Sequence, residues 1–187
     1  ATIGDLSNSE EYVSHINAVK KVLSSPTVAI GSKESLEEEP EYKLILESNR
    51  ILQDIDEEIA ATKRFVADIY KTKFPELENL IPNRIDYIRT VQRIGNEMDL
   101  TLVKLGDILA NSVVMIVSVS ASTTPGVPLS EDKLAECFRG CDEVLKLDTD
   151  RLTLMQFVES RMSKIAPNLC ALIGSDIAAL LVGLAGG

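Results

Sequence analysis

The feature that most limits what this chain can fold into is a row of apolar positions spaced by sevens. After Pro40, Ile45, Leu52, Ile59 and Val66 recur at that interval, with Ser48, Ile55, Thr62 and Ile69 interleaved. Such a pattern is the a/d seam of a long helix, because a heptad row stays on one side of the spiral. Ser and Thr on the second row weaken it as a dimer zipper, so the seam is expected to pack inside a bundle. Pro40 stands at or next to the first helical position, where its missing N–H is not needed.

The remaining sequence is helical in period as well. Ser7-Asn8-Ser9 ahead of Glu10 and Glu11 predicts an N-cap with acids in the first turn, and a short helix to about Leu23. Residues 24–40, with two Pro, a Gly and Glu37-Glu38-Glu39, are expected to form an exposed linker. Phe74-Pro75 breaks the seam helix, Glu76–Leu80 predicts a turn or two of helix, and Pro82 closes that turn or opens the next helix. Ile85, Ile88, Val91, Ile94, Met98, Leu102, Leu105 and Leu109 then step by threes and fours. They predict one helix from Asn83 to about Ser120, loosened at Gly95 and Gly106 by about 1 kcal/mol each relative to Ala. Val113–Val119 is β-branched, but no second strand exists to pair with it, so it is read as helix.

Ala121–Pro128 reads as a loop, and Ser130 with Glu131 and Asp132 as a fresh helix start. Leu134, Cys137, Cys141 and Val144 give that helix its apolar stripe. After a possible break at Asp148–Asp150, Leu152, Met155, Val158, Met162 and Ile165 continue it. Two limbs of about 50–55 Å follow from the 1.5 Å rise, and a short loop between them requires antiparallel packing. The expected fold class is all-α, with four parts. Residues 1–39 are an N-terminal helix and acidic linker. Residues 40–82 are the long helix and its Phe-Pro-Glu-Leu turn. Residues 83–165 are an antiparallel helical hairpin, or coiled-coil arm, with its tip at 122–129. In 166–187, Ala166-Pro167-Asn168 turns the chain into a small-residue helix, Leu169–Ala185. That tail is nearly uncharged, but four glycines and Asp176, costing about 2.5–3.5 kcal/mol in mid-bilayer, argue for a buried helix over a membrane span.

Composition narrows the function. The 187 residues carry a net charge of −10 and 4% aromatic side chains. Phosphate contacts need surplus Lys and Arg, and base stacking needs aromatics, so a stand-alone nucleic-acid binder is disfavoured. Residues 1–60 hold 13 acidic and 5 basic side chains (net −8), and residues 61–187 hold 16 and 14 (net −2). Three cysteines, Cys137, Cys141 and Cys170, form no disulfide pattern and suit a reducing compartment. Cys137 and Cys141 share one helical face without a second ligand pair, so they read as buried apolar residues and no metal site is expected. His15, the only histidine, has no flanking motif that would supply a catalytic partner. The adjacent acids Glu57/Glu58 and Asp142/Glu143 diverge around a helix and read as solvated. Gly183-Leu184-Ala185-Gly186-Gly187 lacks the Lys-Ser/Thr of a phosphate loop. No catalytic residue, cofactor or enzymatic activity is expected.

Two stretches carry a resemblance. One is Phe74-Pro75-Glu76-Leu77 with Ile81-Pro82, followed by a helix. The other is Ser160-Arg161-Met162-Ser163-Lys164-Ile165-Ala166-Pro167-Asn168-Leu169, followed by Gly174, Gly183 and Gly186. Over about residues 40–187 the chain resembles the Nop-domain family, whose members include box C/D snoRNP core proteins and a splicing factor of the U4/U6 snRNP. Asp86–Val91 and the tip segment Ser118–Gly126 look like the splicing branch. The resemblance implies a nuclear, non-enzymatic protein of the U4/U6 snRNP. Its Nop core would recognise a composite surface of U4 snRNA (or the minor-spliceosome counterpart) and a small kink-turn-binding protein. It would also help assemble the tri-snRNP with other proteins of that particle. Box C/D methylation guidance and a generic helical scaffold are the alternatives. Phe74, Pro75, Ala166, Pro167, Asn168, Gly174, Gly183 and Gly186 match the family signature as structural positions. Ser122, Thr123, Thr124 and Pro125 at the tip are the expected partner contact. The family's RNA-contacting segment would lie beyond Gly187, where the family core continues, so no RNA-binding residue is assigned and this chain is expected to bind RNA weakly. No membrane partner is implied.

Overall fold

The computed structural model describes residues 3–24 and 40–173. Among them are six α-helices, one 3-10 turn and no strand, as the all-α reading requires. The linker expected at 24–40 falls almost wholly outside the described residues, as do Gly174, Gly183, Gly186 and most of the small-residue tail. Chain contacts divide into two units: Ala1–Ser9 with Gln53–Asp150, and Glu10–Leu52 with Arg151–Gly187.

In the second unit, α1 (Glu10–Ser24) starts directly after the Ser-Asn-Ser cap sequence. It buries Tyr12, His15, Ile16 and Val19. Other buried side chains of the unit include Ile45, Ser48, Ile51 and Leu52 of α2 (Pro40–Tyr70), and Leu154, Phe157, Val158 and Met162 of α6 (Glu131–Ile173). The imidazole of His15 lies 2.8 Å from Ser48 Oγ, which satisfies both buried polar groups. Arg161 Nη2 donates to the Val22 carbonyl at 3.3 Å.

The first unit gathers the remainder of α2 and α6 around α3 (Leu77–Leu80), α4 (Arg84–Ile94), the 3-10 turn Leu100–Leu102 and α5 (Asn111–Thr123). The heptad seam is an inward face here too: Ile55, Ile59, Thr62 and Val66 are buried. Gly140 of α6 faces that seam. A Cβ on it would stand 2.5 Å from Val66 Cγ2, so the missing side chain sets how closely the two helices approach.

Three helix boundaries depart from expectation. First, Asn83–Ser120 is not one helix. Asn83 caps α4 by accepting from the N–H groups of Ile85 and Asp86, but Gly95 ends it at φ +53. The Gly95 carbonyl accepts the buried Tyr70 hydroxyl at 2.8 Å, which holds the turn in place. Asp99 then caps the 3-10 turn through Thr101, and extended Ala110 precedes α5. The apolar three-four spacing across this break belongs to separate elements, with Leu105 and Leu109 buried from non-helical backbone. Second, α6 does not break at Asp148–Asp150. Asp148 and Asp150 are largely buried, and helix formation tolerates a short acidic cluster when its apolar neighbours pack. Third, α6 passes through Ala166-Pro167-Asn168, read as a turn, and ends at Ile173. An interior proline removes one backbone hydrogen bond and crowds the preceding turn, a cost a 43-residue helix can absorb. The short helix at Leu77–Leu80, the helical Val113–Val119 stretch and the Ser130 start of α6 are as expected, with Lys133 N–H donating to Ser130 Oγ.

Candidate interaction surface

Of the residues that carry the family resemblance, the Phe-Pro-Glu-Leu stretch and the segment 118–126 meet in the first unit, whereas Ser160–Leu169 belongs to the second. Phe74 and Leu77 of Phe-Pro-Glu-Leu are fully buried, whereas Pro75 is exposed and ends the preceding turn. Glu76, between them, accepts the Thr124 hydroxyl at 2.8 Å. Thr124 Oγ1 in turn accepts the Gly126 N–H, and Val127 N–H donates to the Thr72 carbonyl at 2.9 Å. Asn96 clamps the far end: its amide donates to the Leu129 carbonyl and accepts the Leu129 N–H, both at 2.8 Å. The segment 124–129 is therefore a strap tied to residues 72–76 and 96, and Ser122 and Thr123, expected in the loop, are instead the last residues of α5 because the helix runs on past Ser120. The strap is not the free turn of a hairpin tip. A break in the outgoing helix at Gly95 makes this possible, because the chain reaches the strap through α5 and not from the end of a continuous arm.

The strap divides the four expected contact residues. Ser122 and Thr123 are exposed, and their hydroxyls donate to the carbonyls of Val119 and Ser120. Pro125 is exposed, whereas Thr124 is half-buried and occupied by Glu76. Of the signature residues, Ala166, Pro167 and Asn168 lie in the backbone of α6.

Alongside the strap, α5 (NSVVMIVSVSAST) carries no charged side chain and buries only Val117. Its outer face presents Met115 and Val119, 70% and 68% exposed, with Ile116 between them. Leu102 of the adjoining 3-10 turn is 73% exposed, and Met98 is also exposed. Sequence reasoning counted Met98 and Leu102 as core because their spacing matched a helix that is not there.

Electrostatics around this surface are local. Arg93 donates through both terminal nitrogens to Asp107 at 3.0 and 3.1 Å, and to the Lys104 carbonyl. Lys63 pairs with Glu78 at 2.9 Å and lies 4.9 Å from the centroid of the Tyr87 ring. Burial pushes the Tyr70 and Tyr87 hydroxyls up, so both stay protonated. Buried Lys73 is pulled down by desolvation and partly restored by Glu97. The adjacent-acid reading needs one correction. Glu57 and Asp142 are exposed, but Glu143 is buried with no hydrogen-bond partner on Oε1 among the described residues. Burial first, then the carboxylates of Glu143 and Asp5, raise Glu58. Helix position alone could not reveal this, because the N-terminal loop folds over these residues.

Among the described residues, the chemistry-bearing side chains, the histidine and the cysteine pair, lie apart from one another. His15 is buried against Ser48, and desolvation lowers its pKa despite Glu47 nearby. Cys137 and Cys141 are buried and free. The Cys137 sulfur beside it, then burial, raise the Cys141 thiol away from the reactive thiolate. Among the described residues no group of three His, Cys, Asp or Glu is placed to hold a metal, and no helix is long and apolar enough to cross a membrane.

A family model described as "Nop: snoRNA binding domain, fibrillarin" matches residues 51–187. The chain is 44% identical over 99% of its length to "U4/U6 small nuclear ribonucleoprotein Prp31 homolog" of Arabidopsis thaliana, covering 38% of that protein. It is 39% identical over its full length to "U4/U6 small nuclear ribonucleoprotein Prp31" of Homo sapiens, again covering 38% of the relative. It is 30% identical over 76% of its length to "Putative nucleolar protein 5-3" of Arabidopsis thaliana, covering 32% of that protein. The chain thus spans less than two fifths of the length of these relatives. The likeness to the U4/U6 proteins extends beyond residues 40–187 into the N-terminal part, which carries no motif of its own.

Proposed function

Since this chain belongs to the Nop family, we propose that it is part of a splicing factor of the U4/U6 snRNP, acting in the nucleus as a non-enzymatic assembly protein. The carrying observation is the identity to the U4/U6 proteins, which is higher and covers more of the chain than that to the nucleolar protein. In this reading the Nop core of the whole protein recognises U4 snRNA, or its minor-spliceosome counterpart, jointly with a small kink-turn-binding protein. The helical part contacts other proteins and promotes joining of U4/U6 to U5. Exposed Ser122 and Thr123 at the end of α5 and Pro125 on the strap are the contact points, and Thr124 holds the strap down. Replacing Ser122 and Thr123 by alanine lowers tri-snRNP assembly if this contact operates; unchanged assembly removes it.

The nucleolar relative supports a second reading, a box C/D snoRNP core protein that guides RNA 2'-O-methylation. Sequencing the RNA that co-precipitates with the whole protein decides between them. Enrichment of U4 is the expected result, and enrichment of box C/D RNAs without U4 overturns the proposal.

A further inference from the structure

Resting on that reading of an assembly protein, we infer that the outer face of α5 is a docking site for an amphipathic helix of another protein, with an uncharged apolar stripe and basic flanks. A thirteen-residue helix that buries one side chain gains little from its own fold. Exposed Met115 and Ile116 each lie about one helical turn before exposed Val119, and α5 lies against the turn that presents Leu102. Contiguous apolar faces of this kind mark protein interaction sites, and their spacing suits the i, i+3, i+4, i+7 anchors of a docked helix.

Charge selects among the possible occupants. The face itself is neutral, so a charge set against its centre would lose hydration without gaining a partner. Its rim is acidic beside the 3-10 turn, where Glu97 and Asp99 stand against Lys104; Asp107 is already neutralised by Arg93. Glu97 and Asp99 flank Met98 and are exposed. Hydrogen bonds from Thr101 hold the Asp99 carboxyl below its usual range, so it stays ionised. An acidic rim repels nucleic-acid phosphates. It equally opposes a second copy, whose rim has the same sign. Lys or Arg beside an apolar stripe satisfies both features.

The test places a photo-cross-linking benzoyl-phenylalanine at Val119 of the full-length protein in cells. Cross-linked peptides are identified by mass spectrometry, and U4 RNA is measured in the same precipitate. The expected product joins Val119 to a peptide of a different protein that has apolar residues at helical spacing and Lys or Arg beside them. Adding Met115→Glu reduces that product at least about tenfold, the effect of disrupting an interface anchor. Met115 is 70% exposed, so the melting temperature of the chain stays unchanged. Cross-linking to a second copy, to the protein's own chain, to RNA, or to a peptide without that pattern overturns the inference. So does the absence of any product, or a product indifferent to Met115→Glu. Loss of U4 from the precipitate overturns the splicing reading instead, whatever α5 captures.

Discussion

Gly126 shows how much one residue decides. A Cβ there would fall 1.8 Å from the Lys73 carbonyl oxygen and 2.5 Å from its carbon, both backbone atoms that cannot swing aside. Gly126→Ala is therefore expected to destabilise the first unit by about 2 kcal/mol or more, in the range of overpacked sites. Urea unfolding followed by circular dichroism measures this, and a wild-type midpoint would show that the strap is not clamped as described. His15 makes a second prediction. Its folded-state pKa lies below the ordinary 6.5, chiefly through desolvation. Below pH 6.5 the unfolded chain takes up a proton that the folded chain resists, so stability is full above that pH and declines as pH falls. Glu58, with its raised folded pKa, works in the opposite sense, since its contribution is lost as pH rises. Urea midpoints at pH 7.5 and 5.5 therefore need His15→Gln as reference. The wild type loses more stability on acidification than the variant, and equal losses would refute the assignment.

At the scale of elements, the far end of the strap is held by a single amide. Asn96 makes both of its hydrogen bonds to the backbone of Leu129. Asn96→Ala leaves a part-buried N–H and C=O without partners, at about 1–3 kcal/mol. Amide exchange at Val127 and Leu129 is expected to accelerate while the amides of α4 and α2 keep their protection; uniform change, or none, would contradict a local tie. This element also shows what was legible beforehand. Heptad spacing revealed the inward face of α2 because a long helix repeats one decision many times, and Ile45, Ile55, Ile59 and Val66 are all buried. Ser130 and the Ser7-Asn8-Ser9 sequence marked helix starts because capping is local chemistry. The break after α4 was hidden, since its cause is not local. Gly95 costs a helix only about 1 kcal/mol, and the deciding Tyr70 hydroxyl arrives from 25 residues away. Pro167 shows the reverse case, where a strong local stop signal is overridden within α6. Of the expected contact residues, Ser122, Thr123 and Pro125 are exposed, but the apolar surface beside them escaped notice. Met98 and Leu102 fit a helical stripe, and only the broken backbone turns them outward.

For the molecule as a whole, charge governs what the chain does with RNA. Residues 61–187, which include most of the family match, carry 16 acidic and 14 basic side chains. Arg93 is already occupied by Asp107, and Lys63 by Glu78, so part of that small cationic complement is neutralised within the fold. Affinity for a phosphate backbone comes largely from counterions released by cationic side chains. A net charge of −10 opposes even the approach of RNA at low salt. If the family's composite recognition operates, its cationic contacts must therefore come from the kink-turn-binding protein or from other parts of the whole protein. The 187-residue chain alone is expected to bind a U4 stem-loop with a Kd weaker than about 1 μM at 150 mM salt, in the range of non-specific binding. Fluorescence anisotropy across a salt series measures both the Kd and the number of released ions. A sub-micromolar Kd with a steep salt slope would mean that Lys and Arg side chains converge on one face, and that the charge balance misrepresents the RNA-facing surface.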